Sequence, residues 1–271
     1  MMKKIYQSPL NFTGAKHKLM PVLLEHFPTD VDTFYDVFAG GLSVTVNSDY
    51  VNVVANDVIS PMIEFYREFQ YNLDVDEFIR RVEGHALSKT DQDEYNTVRE
   101  IFNETQDPYL FFALVSSCTN NMMRFNKRLK FNQSFGRRTI NPSTIEKLRD
   151  YHRVINAKCI SFSSRNYVEF LLEENPDEDD FVYLDPPYLI TEAGYNAYWS
   201  WDKEMIMYNM LDMLDARGVR FVMSNVREHN GKVNPNLDKL NKYTIVDLDF
   251  DYEKVAKKKG KGTIEIIVKN F

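Results

Sequence analysis

Phe181-Val182-Tyr183-Leu184-Asp185-Pro186-Pro187-Tyr188 is a short apolar run that stops at an acid and two prolines. A run of this length bounded by turn residues reads as a buried strand. Proline fixes its own φ and pushes the preceding residue toward extended backbone. The strand is therefore expected to end in a stiff loop that holds the Asp185 carboxylate and the Pro186 carbonyl in place. The same layout recurs on both sides: residues 33–38 lead into Ala39-Gly40-Gly41, 51–55 into Asn56-Asp57, and 219–223 into Ser224-Asn225, with a further apolar run over 159–162. The pattern predicts an α/β fold with buried parallel strands. Ligands in such sheets sit beyond the carboxyl ends of the strands, where these polar clusters fall. Residues 243–248 and 263–268 read as two antiparallel strands, joined by a Lys- and Gly-rich loop expected to be mobile. From Pro61 to about Cys118 the chain reads mostly helical, with Phe65, Phe69, Phe78 and Ile79 at helical intervals on a packing face.

The chain of 271 residues is 44% hydrophobic, enough for a full core in one large domain or a domain with an insertion. No apolar run has the length of a membrane span, and residues 1–10 lack the layout of a signal peptide, so a cytoplasmic protein is expected. Cys118 and Cys159 lack ligand spacing and read as packing residues, and the five His are scattered; no metal site is expected. The net charge of −7 argues at first against a polyanionic partner, but residues 120–165 hold eleven basic residues against two acidic ones. That segment is +9 and the remainder −16. A basic face on an acidic body suits docking of a polyanion in one orientation; the bland alternative is a solvated helix surface. Within the segment, residues 125–136 alternate polar and aromatic side chains and are expected to form a hairpin on an inserted module.

The chemistry follows from the same clusters. An exocyclic amine is a poor nucleophile because its lone pair is delocalised into the ring. Two acceptors, the Asp185 carboxylate and the Pro186 carbonyl, would draw both amine hydrogens and favour a pyramidal nitrogen. Tyr188 offers a flat face for a base extruded from a duplex. The strand ending in Phe38-Ala39-Gly40-Gly41 permits close backbone approach to a ligand, and Asp57 ends the next strand at a spacing suited to holding ribose hydroxyls; the competing reading of Asp57 is a helix N-cap ahead of Pro61. Asn11-Phe12-Thr13-Gly14-Ala15-Lys16 lacks the pattern of a phosphate-binding loop. Taken alone it reads as a surface turn with a solvated lysine.

These clusters, in this order, resemble the Dam-type DNA adenine-N6 methyltransferases, with the closest likeness to the short T-even phage enzymes. The resemblance rests on Phe12-Thr13-Gly14-Ala15-Lys16, Phe38-Ala39-Gly40-Gly41, Ala55-Asn56-Asp57, Asn121-Met122-Met123-Arg124, Phe135-Gly136-Arg137-Arg138 and Asp185-Pro186-Pro187-Tyr188-Leu189-Ile190-Thr191. It implies a Rossmann-like, S-adenosylmethionine-dependent methyltransferase sheet. A mostly helical target-recognition domain carrying a β-hairpin would be inserted over 61–155, between catalytic and cofactor-binding segments 1–60 and 156–271. It implies S-adenosyl-L-methionine as cofactor, S-adenosyl-L-homocysteine as product, and double-stranded DNA as partner at GATC. No obligate protein partner is implied. Asp185, Pro186 and Tyr188 would be catalytic. Phe12, Lys16, Phe38, Gly40, Asp57, Asn166, Tyr167, Asp185 and Tyr195 would line the cofactor pocket. Asn120, Asn121, Met122, Arg124, Lys127, Arg128, Ser134, Arg137 and Arg138 would face DNA, although Ser134 stands where the family often has proline. Two rival readings remain: an RNA or protein amino-methyltransferase, and a DNA-binding module that has lost catalysis.

Overall fold

The computed structural model describes residues 4–11, 16–72, 74–126, 128–191, 199–248 and 262–271. Five parallel strands form its centre: β1 (Phe34–Asp36), β2 (Asn52–Asn56), β3 (Cys159–Ser163), β4 (Phe181–Leu184) and β5 (Arg220–His229). They lie in the order β3-β2-β1-β4-β5, and the sheet continues through β8 (Thr263–Lys269) to β7 (Thr244–Asp247). β8 runs antiparallel to both of its neighbours, and the two-residue β6 (Lys232–Val233) pairs with β5. All five parallel strands and the closing antiparallel pair fall where the apolar runs place them. Most of the 254–262 loop lies outside the described residues.

Period-two alternation builds two cores. Phe34, Phe181, Tyr183, Val222 and Ile267 point to one face of the sheet, where they join Met20, Phe65, Phe112 and Tyr151. Tyr35, Val182, Leu184, Phe221, Met223, Ile266 and Val268 point to the other, against Phe170, Leu171, Met207 and Leu211. The layers are thus helix, sheet, helix. On the second face lie α8 (Tyr167–Glu174) and α9 (Trp201–Ala216). The first carries the short α1 (Met20–Leu24) and α2 (Ser43–Asn47), followed by α3 (Ser60–Tyr71), α4 (Val75–Gly84), α5 (Gln92–Thr105), α6 (Pro108–Ser117) and α7 (Pro142–Ile155).

Helix starts follow capping chemistry. Asp74, Asp91 and Asp107 accept backbone N–H bonds at the heads of α4, α5 and α6, and Asn141 does so ahead of Pro142 in α7. Phe65, Phe69, Phe78 and Ile79 are buried as expected. Phe65 of α3 stacks on Phe112 of α6 with centroids 5.1 Å apart, so the helices of residues 61–155 share one continuous core with the sheet. Cys118 is buried, but Cys159 is exposed, which corrects its reading as a packing residue. It lies on the edge strand β3, whose outward side pairs with no strand among the described residues.

Candidate active site

The stiff loop after β4 carries a buried Pro186 and a partly exposed Asp185. Asp185 Oδ1 accepts a hydrogen bond from the Tyr188 hydroxyl at 2.8 Å and an ion pair from Lys16 Nζ at 3.0 Å. Lys16 also donates to the Tyr188 hydroxyl at 2.6 Å and stands 4.8 Å above the Tyr188 ring. Lys16 is only 5% exposed, so it is a buried ammonium and not the solvated lysine of a surface turn. Its burial requires a counter-charge, and Asp185 supplies one. Glu265 of β8 brings a second carboxylate, with Oε2 4.0 Å from Lys16 Nζ. Burial pushes the Glu265 carboxyl up and Lys16 opposes that shift, while the Asp185 charge adds to it. Tyr188 is pushed well above its ordinary value by burial and then by Asp185 and Glu265, so its hydroxyl is a donor at neutral pH.

The second half of the site lies at the ends of β1 and β2. Gly40 adopts φ +47°, a left-handed conformation that favours glycine, and donates its N–H to Asp57 Oδ2 at 3.0 Å. Asp57 Oδ1 accepts from Ile59 N at 2.9 Å, as expected of an acid ahead of a helix. Each oxygen retains lone-pair capacity for another donor. Burial raises the Asp57 carboxyl, and the two backbone bonds counter this. Asn56 ties the strand ends together: its Nδ2 donates to the Val37 and Arg165 carbonyls, and its Oδ1 accepts from Arg165 N. Phe38 packs against Tyr167 at 5.5 Å and Trp199 at 6.2 Å. The Tyr167 hydroxyl donates to the Lys203 carbonyl, and Asn166 caps α8 through Val168 N. Asp36, at the end of β1, has one oxygen bonded to Thr45 Oγ1 at 2.7 Å and the other buried without a hydrogen-bond partner among the described residues. Desolvation raises this carboxyl to about 7.

The donor set fits S-adenosylmethionine. Asp36 offers a buried acceptor in want of a donor, Asp57 a carboxylate beside a glycine turn, and Phe38 an aromatic face between them and α8. Phe12 and Tyr195 lie outside the described residues. Asp36 and Glu265 were absent from the residues assigned by sequence. The signal for Glu265 was a lone acid in the apolar run 263–268; that for Asp36 was an acid closing a buried strand.

The third element is the loop system 118–138. Isolated bridges join Cys118 to Phe135 and Phe125 to Phe131, and no longer ladder is assigned among the described residues where the hairpin was expected. Asn120, Asn121, Leu129 and Arg137 all have φ near +55°, at 59°, 54°, 54° and 54°. Such conformations persist only where surroundings hold them. Asn121 Nδ2 donates to the Ser116 and Val115 carbonyls at the end of α6, and its Oδ1 accepts from Arg138. Arg124 donates through Nε and Nη2 to Asn132, and the Ser134 hydroxyl bonds Thr119. A parallel bridge from Asn11 to Met122 ties this loop system to the segment preceding Lys16. The basic face is narrower than its charge count suggests. Arg149, Arg153 and Arg165 pair with Asp76, Asp150 and Glu173/Glu174, whereas Arg124, Arg128, Lys130, Arg137 and Arg138 form no salt bridge among the described residues. Lys127 lies outside them.

A family model described as the D12 class N6 adenine-specific DNA methyltransferase matches residues 12–260. The chain belongs to this family. It is 32% identical over 99% of its length to the modification methylase StsI of Streptococcus sanguinis and 31% over 98% to the type II methyltransferase M.FokI of Planomicrobium okeanokoites. It spans 43% of each of those relatives. The DNA adenine methylase of Escherichia coli K12 is 29% identical over 70% of this chain and 68% of its own. The D12 match and the three-layer sheet together give the methyltransferase fold expected from the sequence. Among the described residues, no group of three or more His, Cys, Asp or Glu could hold a metal, and no helix is long and apolar enough to cross a membrane.

Proposed function

We propose that this chain transfers a methyl group from S-adenosylmethionine to N6 of adenine in a short duplex DNA site. GATC, the site implied by resemblance, is the first sequence to test. The observation that carries this reading is the convergence of Asp185, Tyr188 and Lys16 at the end of β4, two strands from Asp57 and its glycine turn. When bound, S-adenosylmethionine supplies a methyl group on a cationic sulfur. Phe38, Gly40, Asp57, Asn166 and Tyr167 would hold it, with Asp36 as a further acceptor. The target base must leave the helix to reach this loop. The Asp185 carboxylate and Pro186 carbonyl then accept its amine hydrogens, and Tyr188 stacks on the ring. No strong base is needed before attack, because the nitrogen becomes acidic only once its new bond to carbon has formed; the proton leaves last. Exposed Arg124, Arg128, Arg137 and Arg138 face the duplex, with Asn121 and Met122 supporting them from within the loop system.

The test is transfer of labelled methyl to duplex DNA, to structured RNA and to protein, by wild type and by Asp185→Ala. Duplex DNA is expected to be labelled, and its GATC sites to become resistant to a nuclease blocked by adenine methylation. Asp185→Ala should lose turnover and keep most DNA affinity, since phosphate contacts lie elsewhere. Labelling of RNA or protein alone would favour the first rival. Cofactor and DNA binding without any transfer would favour the second.

A further inference from the structure

The arrangement around Asp185 poses a problem for the reaction proposed above. Asp185 Oδ1 already receives both the Tyr188 hydroxyl and the Lys16 ammonium. An adenine amine that uses this oxygen must displace one of them. Moving the Lys16 ammonium, whose side chain is only 6% exposed, away from its counter-charge is costly unless another anion takes it up. Glu265 is placed to do this. Its Oε2 is buried, has no hydrogen-bond partner among the described residues, and stands 4.0 Å from Lys16 Nζ. A buried carboxylate oxygen left unbonded costs free energy, so β8 holds an acceptor that a small movement of Lys16 would satisfy.

We infer that Glu265 is a positioning residue for methyl transfer: it receives the Lys16 ammonium when the substrate amine takes Lys16's place on Asp185. The ion pair moves from Asp185 to Glu265, net charge in the pocket is unchanged, and Asp185 Oδ1 gains a free lone pair for the incoming amine. Without Glu265, Lys16 would stay on Asp185 and compete with adenine. The inference rests on the proposed adenine methyltransferase activity.

The test is a double-mutant cycle of Glu265→Gln and Lys16→Met, with DNA varied at saturating S-adenosylmethionine. Glu265→Gln, nearly isosteric, is expected to lower kcat/KM for DNA by about tenfold or more while cofactor affinity stays within about twofold. In the Lys16→Met background the same change should cost less than about twofold, because the competitor is gone. The cycle is also read without turnover, as the affinity ratio between duplexes carrying adenine or an amine-less purine at the target position. Wild type and Lys16→Met should prefer adenine, and Glu265→Gln should lose the preference. Equal losses from Glu265→Gln in both backgrounds, or full activity of the single variant, would overturn the inference while leaving the activity intact. A wild-type protein that methylates no duplex would overturn the proposed function and, with it, this role for Glu265.

Discussion

A methyl group added at Gly136 has nowhere to go. An ideal Cβ there would lie 2.2 Å from the Cys118 carbonyl oxygen, 2.3 Å from its carbon and 2.5 Å from Thr119 N. All three are backbone atoms, so no side chain can swing aside. A carbon to oxygen contact settles at about 3.3 Å, so segments 118–119 and 135–136 must part by roughly 1 Å. The hydrogen bonds from Gly136 N to Ser117 O and from Thr119 N to Ser134 O, both 2.9 Å, cannot survive that displacement intact. Two backbone bonds at about 1 kcal/mol each and an overpacking cost of about 1–3 kcal/mol place the loss for Gly136→Ala at about 3–5 kcal/mol. At about 2–4 °C per kcal/mol for a chain near this size, Tm should fall by about 6–20 °C. The damage should centre on Asn120, Asn121, Arg137 and Arg138, which flank the contact, and spare the ends of β1 and β2. Thermal denaturation, fluorescence anisotropy with duplex DNA and calorimetry with S-adenosylmethionine test this. DNA affinity should drop while cofactor affinity holds. A Tm within about 1 °C of wild type together with unchanged DNA affinity would refute the close-approach argument.

Asp57→Ala should weaken S-adenosylmethionine binding by about tenfold or more, because it removes both the acceptor for ribose hydroxyls and the brace on Gly40 N; an unchanged dissociation constant would contradict the assignment. Asp36→Asn tests the raised carboxyl. The folded state holds that proton up to about pH 7, the unfolded state only to its ordinary value near 3.9, so this group's stabilisation is present below about pH 4 and lost as pH rises to 7. The Tm of wild type relative to Asp36→Asn should therefore fall between those pH values and level off above them, and a constant difference would exclude the buried acid as its source. Arg124→Ala should relax selectivity at one guanine-bearing position by about 1–3 kcal/mol, whereas Arg128→Ala should weaken binding to all duplexes alike. Asn132→Ala should share the Arg124→Ala phenotype in weaker form, since Asn132 orients that guanidinium. Equal losses on every duplex would make Arg124 a backbone clamp.

The strands of the sheet were legible because each is a short apolar run that stops at residues unable to continue it. Phe181–Leu184 ends at Pro186-Pro187, and Asn52–Asn56 ends at Asp57, which turns to brace the next helix. The helical stretch from Pro61 to about Cys118 was legible through the spacing of Phe65, Phe69, Phe78 and Ile79, all of them buried. The loop system 118–138 was not, because its shape is set by close contacts that no periodicity encodes. Gly136 pressed against Cys118 and Asn121 reaching back to α6 shape its two ends, and within the 125–136 stretch the antiparallel Phe125–Phe131 bridge, flanked by bonds from Asn126 N to Lys130 O and Asn132 N to Arg124 O, is a short irregular pairing. Its charge was overread for a related reason: Arg149 is paired by Asp76 of the distant α4 and Arg165 by Glu173 and Glu174 just beyond the counted segment, and a count within that segment sees none of them.

The same distinction explains why Glu265 of the candidate site was missed. Parallel strands deliver all their carboxyl ends to one edge, so Asp57 and Asp185 could be grouped from sequence once the sheet was inferred. β8 enters the sheet in the opposite sense. Leu184 pairs with Met223, Met223 with Val268, and Val226 with Glu265, so it is the beginning of β8, and not its end, that reaches the level of the Asp185 loop. A rule that looks for function after strands passes over an acid near the start of one. Lys16 was legible only through the resemblance, because its own stretch reads as a surface turn: the burial of its ammonium between Asp185, just after β4, and Glu265 of β8 is what distinguishes it from a surface lysine. The proposed methylation chemistry therefore depends on an antiparallel strand and an N-terminal turn meeting at a parallel edge, and exchange of Lys16 between Asp185 and Glu265 is the step that this meeting makes available.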